Sequence, residues 1–138
     1  MNKVLYFAYG SNLNHYQMKN IRCVGSKYLK TTFLKDYKLL FCHSNKENKF
    51  GYANVIRSIG SKVPGAIWEI TKKHEEILDR YEGFPDIYQK EYFYLNGKKI
   101  MFYIMNKYFI KGPPKSYINT IIEGYKDCNI DLNYTKKF

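Results

Sequence analysis

Two short stretches of the chain hold residues whose types and spacing could do chemistry. The first is YFAYGSNL, residues 6–13, where an apolar run stops at Gly10 and passes into Ser11 and Asn12. Residues 4–8 are apolar without alternation, the pattern of a strand covered on both faces. Gly10 opens backbone conformations closed to other residues. Ser11, Asn12 and Asn14 are each good N-caps for a short helix over 15–22, in which Met18 and Ile21 are spaced three apart. Strand, tight turn and helix start together aim unpaired backbone N–H groups at one point, a common way to hold an anion or a developing oxyanion. The bland alternative is an ordinary capped turn in which Ser and Asn only cap.

The second stretch is KKHEEILDRYEG, residues 72–83. Thr71 is the expected N-cap, Glu75 falls near the place of a capping-box partner, and Gly83 with Pro85 shortly after ends the helix. Ile77, Leu78 and Tyr81 form the expected buried stripe. Glu82 sits at the C-terminal end, where the helix dipole disfavours a carboxylate by about 0.3–1 kcal/mol. At about 100° per residue it lies about 40° from Leu78, on the border of that stripe. Both effects would raise its pKa toward the range of a general base. The alternative is an exposed glutamate at a frayed helix end.

Other chemistries find little support. His15, His43 and His74 share no metal-ligand spacing with one another or with Cys23, Cys42 and Cys128, and His74 reads as a packed boundary histidine. There is no GxSxG, no HExxH and no dinucleotide-binding glycine pattern, so neither a metal nor an organic cofactor is expected. The three cysteines are an odd number and are expected as reduced thiols.

The elements that must position these residues are short. Strands are expected over 25–34 and 37–42, joined at Lys35-Asp36, then a polar loop over 43–51. A strand over 52–58, a turn at Gly60-Ser61 and a strand over 62–70 follow, Pro64-Gly65 marking an edge, bend or bulge and Trp68 lying in the core. After the 72–82 helix come strands over 88–94 and 99–105 around an Asn96-Gly97 hairpin turn, a connection over 108–114, and a helix from Ser116 with Tyr117, Ile118, Ile121, Ile122 and Tyr125 at helical spacing. About seven strands with hairpins dominating predict an α+β fold: a small, mixed, partly closed β-barrel with flanking short helices, residues 1–138 forming a single domain.

Net charge is +11, which invites a nucleic-acid reading. Of the 23 basic residues, however, only Arg22, Arg57 and Arg80 are arginines, and the lysines are spread along the whole chain. Base edges and phosphates favour arginine forks, so a solvated lysine-rich surface is the better reading. No apolar run approaches the ~20 residues of a membrane span, and the N-terminus lacks the pattern of a signal peptide; a soluble, cytoplasmic protein is expected.

Four segments and one tyrosine taken together carry a resemblance: AYGSNLN at 8–14, GAIWEI at 65–70, LDRYEG at 78–83 with Tyr88 after it, and GPPKSY at 112–117. In this order they resemble the γ-glutamylcyclotransferase family across nearly the whole chain. The resemblance implies that Tyr9, Gly10, Ser11, Asn12 and Leu13 form the substrate cradle, that Glu82 is the catalytic base, and that Tyr88 and Tyr117 line the pocket. It implies cyclisation of a γ-glutamyl group to 5-oxoproline with release of an amino acid or amine, without metal or cofactor. Because the nucleophile is the substrate's own α-amine, no Ser or Cys is needed, which agrees with what the residues offer. The family includes members acting on γ-glutamyl amines, so the leaving group stays open. The partners implied are a small-molecule γ-glutamyl substrate, no nucleic acid and no membrane, with the chain a monomer or homodimer. The rival reading is a non-catalytic basic binding module on the same fold.

Overall fold

The computed structural model describes residues 2–136 and 138. Six strands, β1 (Lys3–Ala8), β2 (Lys27–His43), β3 (Tyr52–Thr71), β4 (Gln89–Leu95), β5 (Lys98–Ile104) and β6 (Phe109–Ile110), form one sheet in the order β4-β5-β1-β3-β2-β6. Only β1 and β5 run parallel; the other neighbouring pairs are antiparallel. Two helices, α1 (Lys72–Glu82) and α2 (Lys115–Asp127), complete an α+β architecture.

Alternate residues of β1 serve two cores, as its unbroken apolar run requires. Tyr6 and Ala8 pack with Trp68, Ile70, Met101 and Tyr103 beneath Leu78 of α1 and Ile121 of α2. Phe7 and Tyr9 pack with Val55, Ile67, Ile100 and Phe102 on the other side. The second core is closed by the sheet itself. Tyr37 of β2 and Phe102 of β5 stand 5.7 Å apart, ring centre to ring centre. Three strand steps separate them in the sheet order, which in a flat sheet would be roughly 14 Å. The sheet therefore curls over this core, while its hydrogen-bonded ladder stays open between β4 and β6.

Four of the expected strands prove to be two long bent ones. Between Lys35↔Lys62 and Tyr37↔Arg57 the ladder of β2 and β3 is interrupted, but the same two strands pair on both sides. Asp36 (φ 66°) and Gly60 (φ 88°) take left-handed conformations there, and the Asp36 carboxylate accepts a hydrogen bond from Gly60 N at 3.0 Å. The turn residues are thus real, yet they make a bulge that re-aims a strand instead of reversing it. Phe109–Ile110, expected within a connection, adds a short edge strand on Cys42 and His43. Pro64 lies just past the end of the β1 ladder, where β3 has only β2 beside it.

The segment after β1 departs from an α-helix. Ser11–Leu13 is a single 3₁₀ turn, and residues 15–22 wind as a helix that becomes π-type over Gln17–Arg22, with Cys23 N bonding Met18 O at 2.8 Å. Asn14 is the cap that starts it, its Oδ1 accepting from Gln17 N at 2.9 Å. In a π turn each residue rotates by less than the ~100° of an α-helix. Ile21, three after buried Met18, therefore swings out to 58% exposure, while Arg22, four after it, stays on the inner face as it would in an α-helix.

α1 begins and ends as its sequence foretells. Thr71 Oγ1 accepts from His74 N, but the reciprocal partner is His74, whose Nδ1 accepts from Thr71 N at 3.1 Å. That bond leaves the proton on Nε2, which donates to Val24 O at 2.8 Å. Glu75 points instead at Lys90. At the other end Gly83 holds the left-handed cap conformation at φ 66°. Of the expected stripe only Leu78 is fully buried; Ile77 and Tyr81 face outward, Tyr81 at 61% exposure.

Candidate functional site

One cavity of about 410 Å³ opens beside the end of β1, within the size range of small-molecule sites. The Gly10–Asn12 turn forms one part of its wall and Glu82 another; the rest is contributed largely by Tyr6, Tyr9, Tyr88, Tyr103 and Tyr117. α2 holds the turn in place. Gly124 sits so close under it that a Cβ there would come within 2.6 Å of Asn14 N and of the Leu13 side chain. Gly10 is needed for room: its φ is −117°, outside the left-handed region, but a Cβ would stand 3.0 Å from the Ala53 methyl and 3.2 Å from the Tyr117 hydroxyl.

Inside the turn, Leu13 N bonds Gly10 O and Asn14 N bonds Ser11 O. As at any helix start, the preceding amides, those of Ser11 and Asn12, have no protein acceptor among the described residues. The side chains of Ser11 and Asn12 both accept from Gln17 Nε2 at 2.9 Å, and Asn12 Nδ2 donates to the Tyr6 hydroxyl at 3.0 Å. Their polar atoms thus brace the turn against the π segment.

The tyrosines divide into two groups by where their protons go. Tyr9 donates to Tyr103 O, Tyr88 to Ala53 O and Tyr103 to Asp79 Oδ1, at 2.6–2.7 Å. Tyr6 and Tyr117 instead accept, from Asn12 Nδ2 and from Ala53 N, which leaves each with a hydroxyl proton that has no protein acceptor among the described residues. Tyr88 and Tyr117 clasp the Ala53 backbone from its two polar sides.

Glu82 is half-buried, and among the described residues its carboxylate has neither a hydrogen-bond donor nor a salt-bridge partner. Burial pushes its pKa from 4.5 up to about 7, against the opposing pull of the Arg22 guanidinium. The phenols of Tyr6, Tyr9, Tyr88, Tyr103 and Tyr117 are all raised, chiefly by burial, with the Glu82 charge adding to each. They therefore keep their protons at neutral pH, and Glu82 is the one carboxylate in the cavity lining among the described residues.

The family model for γ-glutamyl cyclotransferase, AIG2-like, matches residues 6–122. The chain belongs to this family. It is 29% identical to the γ-glutamylcyclotransferase of Homo sapiens over 143 residues, covering 96% of this chain and 76% of that protein. Identity to the Bos taurus γ-glutamylcyclotransferase is 31% over 150 residues, with the same coverages of 96% and 76%. A solved γ-glutamyl cyclotransferase superposes with a TM-score of 0.85 at 28% identity, covering 99% of this chain and 86% of the other.

Of the residues singled out by the family resemblance, Glu82, Tyr9, Gly10, Ser11, Asn12, Tyr88 and Tyr117 line the cavity together. Leu13 does not; it is fully buried against Gly124 and anchors the turn from behind. Other lining residues escaped sequence reasoning, among them Tyr6, Gln17, Arg22 and Tyr103. Tyr6 stood inside the YFAYGSNL stretch, so its place could have been weighed. Arg22 could have been weighed as well, since it falls four residues after Met18 on the same helical face.

Among the described residues no helix is long and apolar enough to cross a membrane, and no group of three or more His, Cys, Asp or Glu side chains is arranged to hold a metal. The three cysteines are buried and unpaired.

Proposed function

We propose that the protein is a cofactor-independent γ-glutamylcyclotransferase in which Glu82 is the general base. The observation that carries this reading is a single unpaired carboxylate, raised to about 7 by burial, sharing a tyrosine-lined cavity with the Gly10–Asn12 turn. A base poised near neutral pH suits removal of a proton from an amine as it attacks.

In the reaction the α-amine nitrogen of the γ-glutamyl group attacks its own γ-carbonyl carbon. A new C–N bond closes the five-membered ring while Glu82 takes the proton lost by the amine. The tetrahedral oxyanion collapses, the original amide C–N bond breaks, and the proton returns from Glu82 to the departing nitrogen. The products are 5-oxoproline and a free amine or amino acid, with no covalent bond to the protein. The Tyr6 and Tyr117 hydroxyl protons and the Ser11 and Asn12 amides are the donors free to hold the oxyanion and the glutamyl carboxylate. Tyr9, Tyr88 and Tyr103, whose protons are engaged, shape the walls that fold the substrate toward its attack geometry.

The test is incubation with a panel of γ-glutamyl amino acids and amines, read as 5-oxoproline, with the wild type beside Glu82→Gln. Turnover by the wild type and its collapse in the variant is the expected result. Turnover of no compound would leave the basic binding module as the better account.

A further inference from the structure

Arg22, four residues after buried Met18, lies on the inner face of its helix and lines the cavity, and its surroundings are unusual for an arginine. Its guanidinium lies over the Tyr81 ring, 3.2 Å from the ring centre. It donates no hydrogen bond to protein among the described residues, and its Nε is wholly buried without a partner. Nor does it form an ion pair with Glu82, although both line the same cavity. Among the described residues Arg22 is the one lysine or arginine in that lining. A stacked guanidinium loses little further freedom when it binds, and its rigid fork matches a carboxylate. Left partly desolvated and unpaired, it is a charge waiting for an anion.

Position decides which anion. Tyr81 is 61% exposed, so the guanidinium stacked on it stands at the rim of the cavity. The cyclising glutamyl portion must lie against Glu82 and the turn. The leaving portion, which departs to solvent, must then point to the rim. A γ-glutamyl amine carries nothing there for a guanidinium to hold, whereas a γ-glutamyl amino acid or peptide carries a carboxylate.

Resting on the cyclotransferase reading above, we infer that Arg22 is a specificity-determining residue of the site: it binds a carboxylate on the leaving group and so favours γ-glutamyl amino acids or peptides over γ-glutamyl amines. The donors of the turn and of Tyr6 and Tyr117 are left for the glutamyl end.

The experiment compares γ-glutamylalanine with its alaninamide counterpart, which differs only in having that carboxylate neutralised, on wild type, Arg22→Met and Arg22→Lys, with 5-oxoproline as readout. The wild type should prefer the acid by about 10- to 100-fold in kcat/KM, the size of a charge-assisted hydrogen-bonded contact, and mostly through KM. Arg22→Met should bring that ratio close to one, and Arg22→Lys should restore part of it. An acid-to-amide ratio that is the same in wild type and Arg22→Met, even if both rates drop together, overturns the assignment and places Arg22 at the glutamyl end or in the scaffold. A wild type that releases 5-oxoproline from neither compound, nor from any γ-glutamyl amine, overturns the functional reading and the inference with it.

Discussion

Two carboxylates three residues apart on α1 live in opposite surroundings. Asp79 is held on every side: Lys90 Nζ stands 2.9 Å from one oxygen, the Tyr103 hydroxyl donates at 2.6 Å, and the same lysine reaches Glu75 at 2.7 Å. Glu82, on the same helix, has no such partner, and burial alone drives it up to about 7. Helix position accounts for part of the contrast, since the C-terminal turn repels a negative charge. The larger part is what faces each group. A carboxylate ringed by donors fastens an element in place; a carboxylate facing a cavity without donors is free to exchange a proton.

The sharpest way to break this comparison is to neutralise each side in turn. Glu82→Gln keeps size and most hydrogen bonding but cannot accept the amine's proton, so 5-oxoproline release should fall by about 10²–10⁴-fold while binding survives. A variant turning over at the wild-type rate would mean that another group is the base. The pH dependence asks the same question without mutation. With Glu82 near 7, kcat/KM of the wild type should fall about tenfold per pH unit below that value, because only the ionised carboxylate accepts the proton. An inflection near 4.5 would show a solvated glutamate instead.

On the paired side, Lys90→Met should lose stability and not chemistry. It leaves Glu75 and Asp79 facing one another without their shared cation, at a cost of about 2–4 kcal/mol in thermal or denaturant unfolding. Loss of rate without loss of stability would contradict the division of labour along α1. Tyr6→Phe tests a donor of the cavity: removing its free hydroxyl proton should lower kcat about tenfold, with a smaller effect on KM.

The smallest expected effect is the stability of Glu82→Gln itself. The folded carboxylate holds its proton up to about 7 whereas the unfolded one releases it near 4.5, so between those values the folded state binds more protons. Stability therefore falls as pH rises through that window, and the penalty is complete above it. Glu82→Gln should be the more stable protein above pH 7, by on the order of 1–3 kcal/mol, with the gap closing toward pH 4.5. Thermal midpoints of both proteins at pH 5 and pH 8 measure it.

What the sequence determined by itself was whatever a few neighbouring residues can satisfy among themselves. Thr71 and Gly83 mark the ends of α1, the left-handed Asn96 and Gly97 make the hairpin between β4 and β5, and Glu82 falls at a helix end, all through hydrogen bonds and backbone preferences that reach at most four or five positions. The apolar run of β1 likewise announced a strand covered on both faces. Tertiary structure decided the rest, because it depends on partners far along the chain. Asp36 and Gly60 make a bulge instead of a turn only because β2 and β3 continue to pair beyond them. His74 displaces Glu75 from the capping box because Val24 O and Lys90 claim the two side chains for different neighbours. The free protons of Tyr6 and Tyr117 exist because Asn12 and Ala53 occupy the opposite sides of those oxygens, and Ile21 faces solvent because residues 17–22 wind as a π turn. A local hydrogen bond is written into spacing; an unpaired group in a cavity is defined by everything that surrounds it, and only the folded chain specifies that.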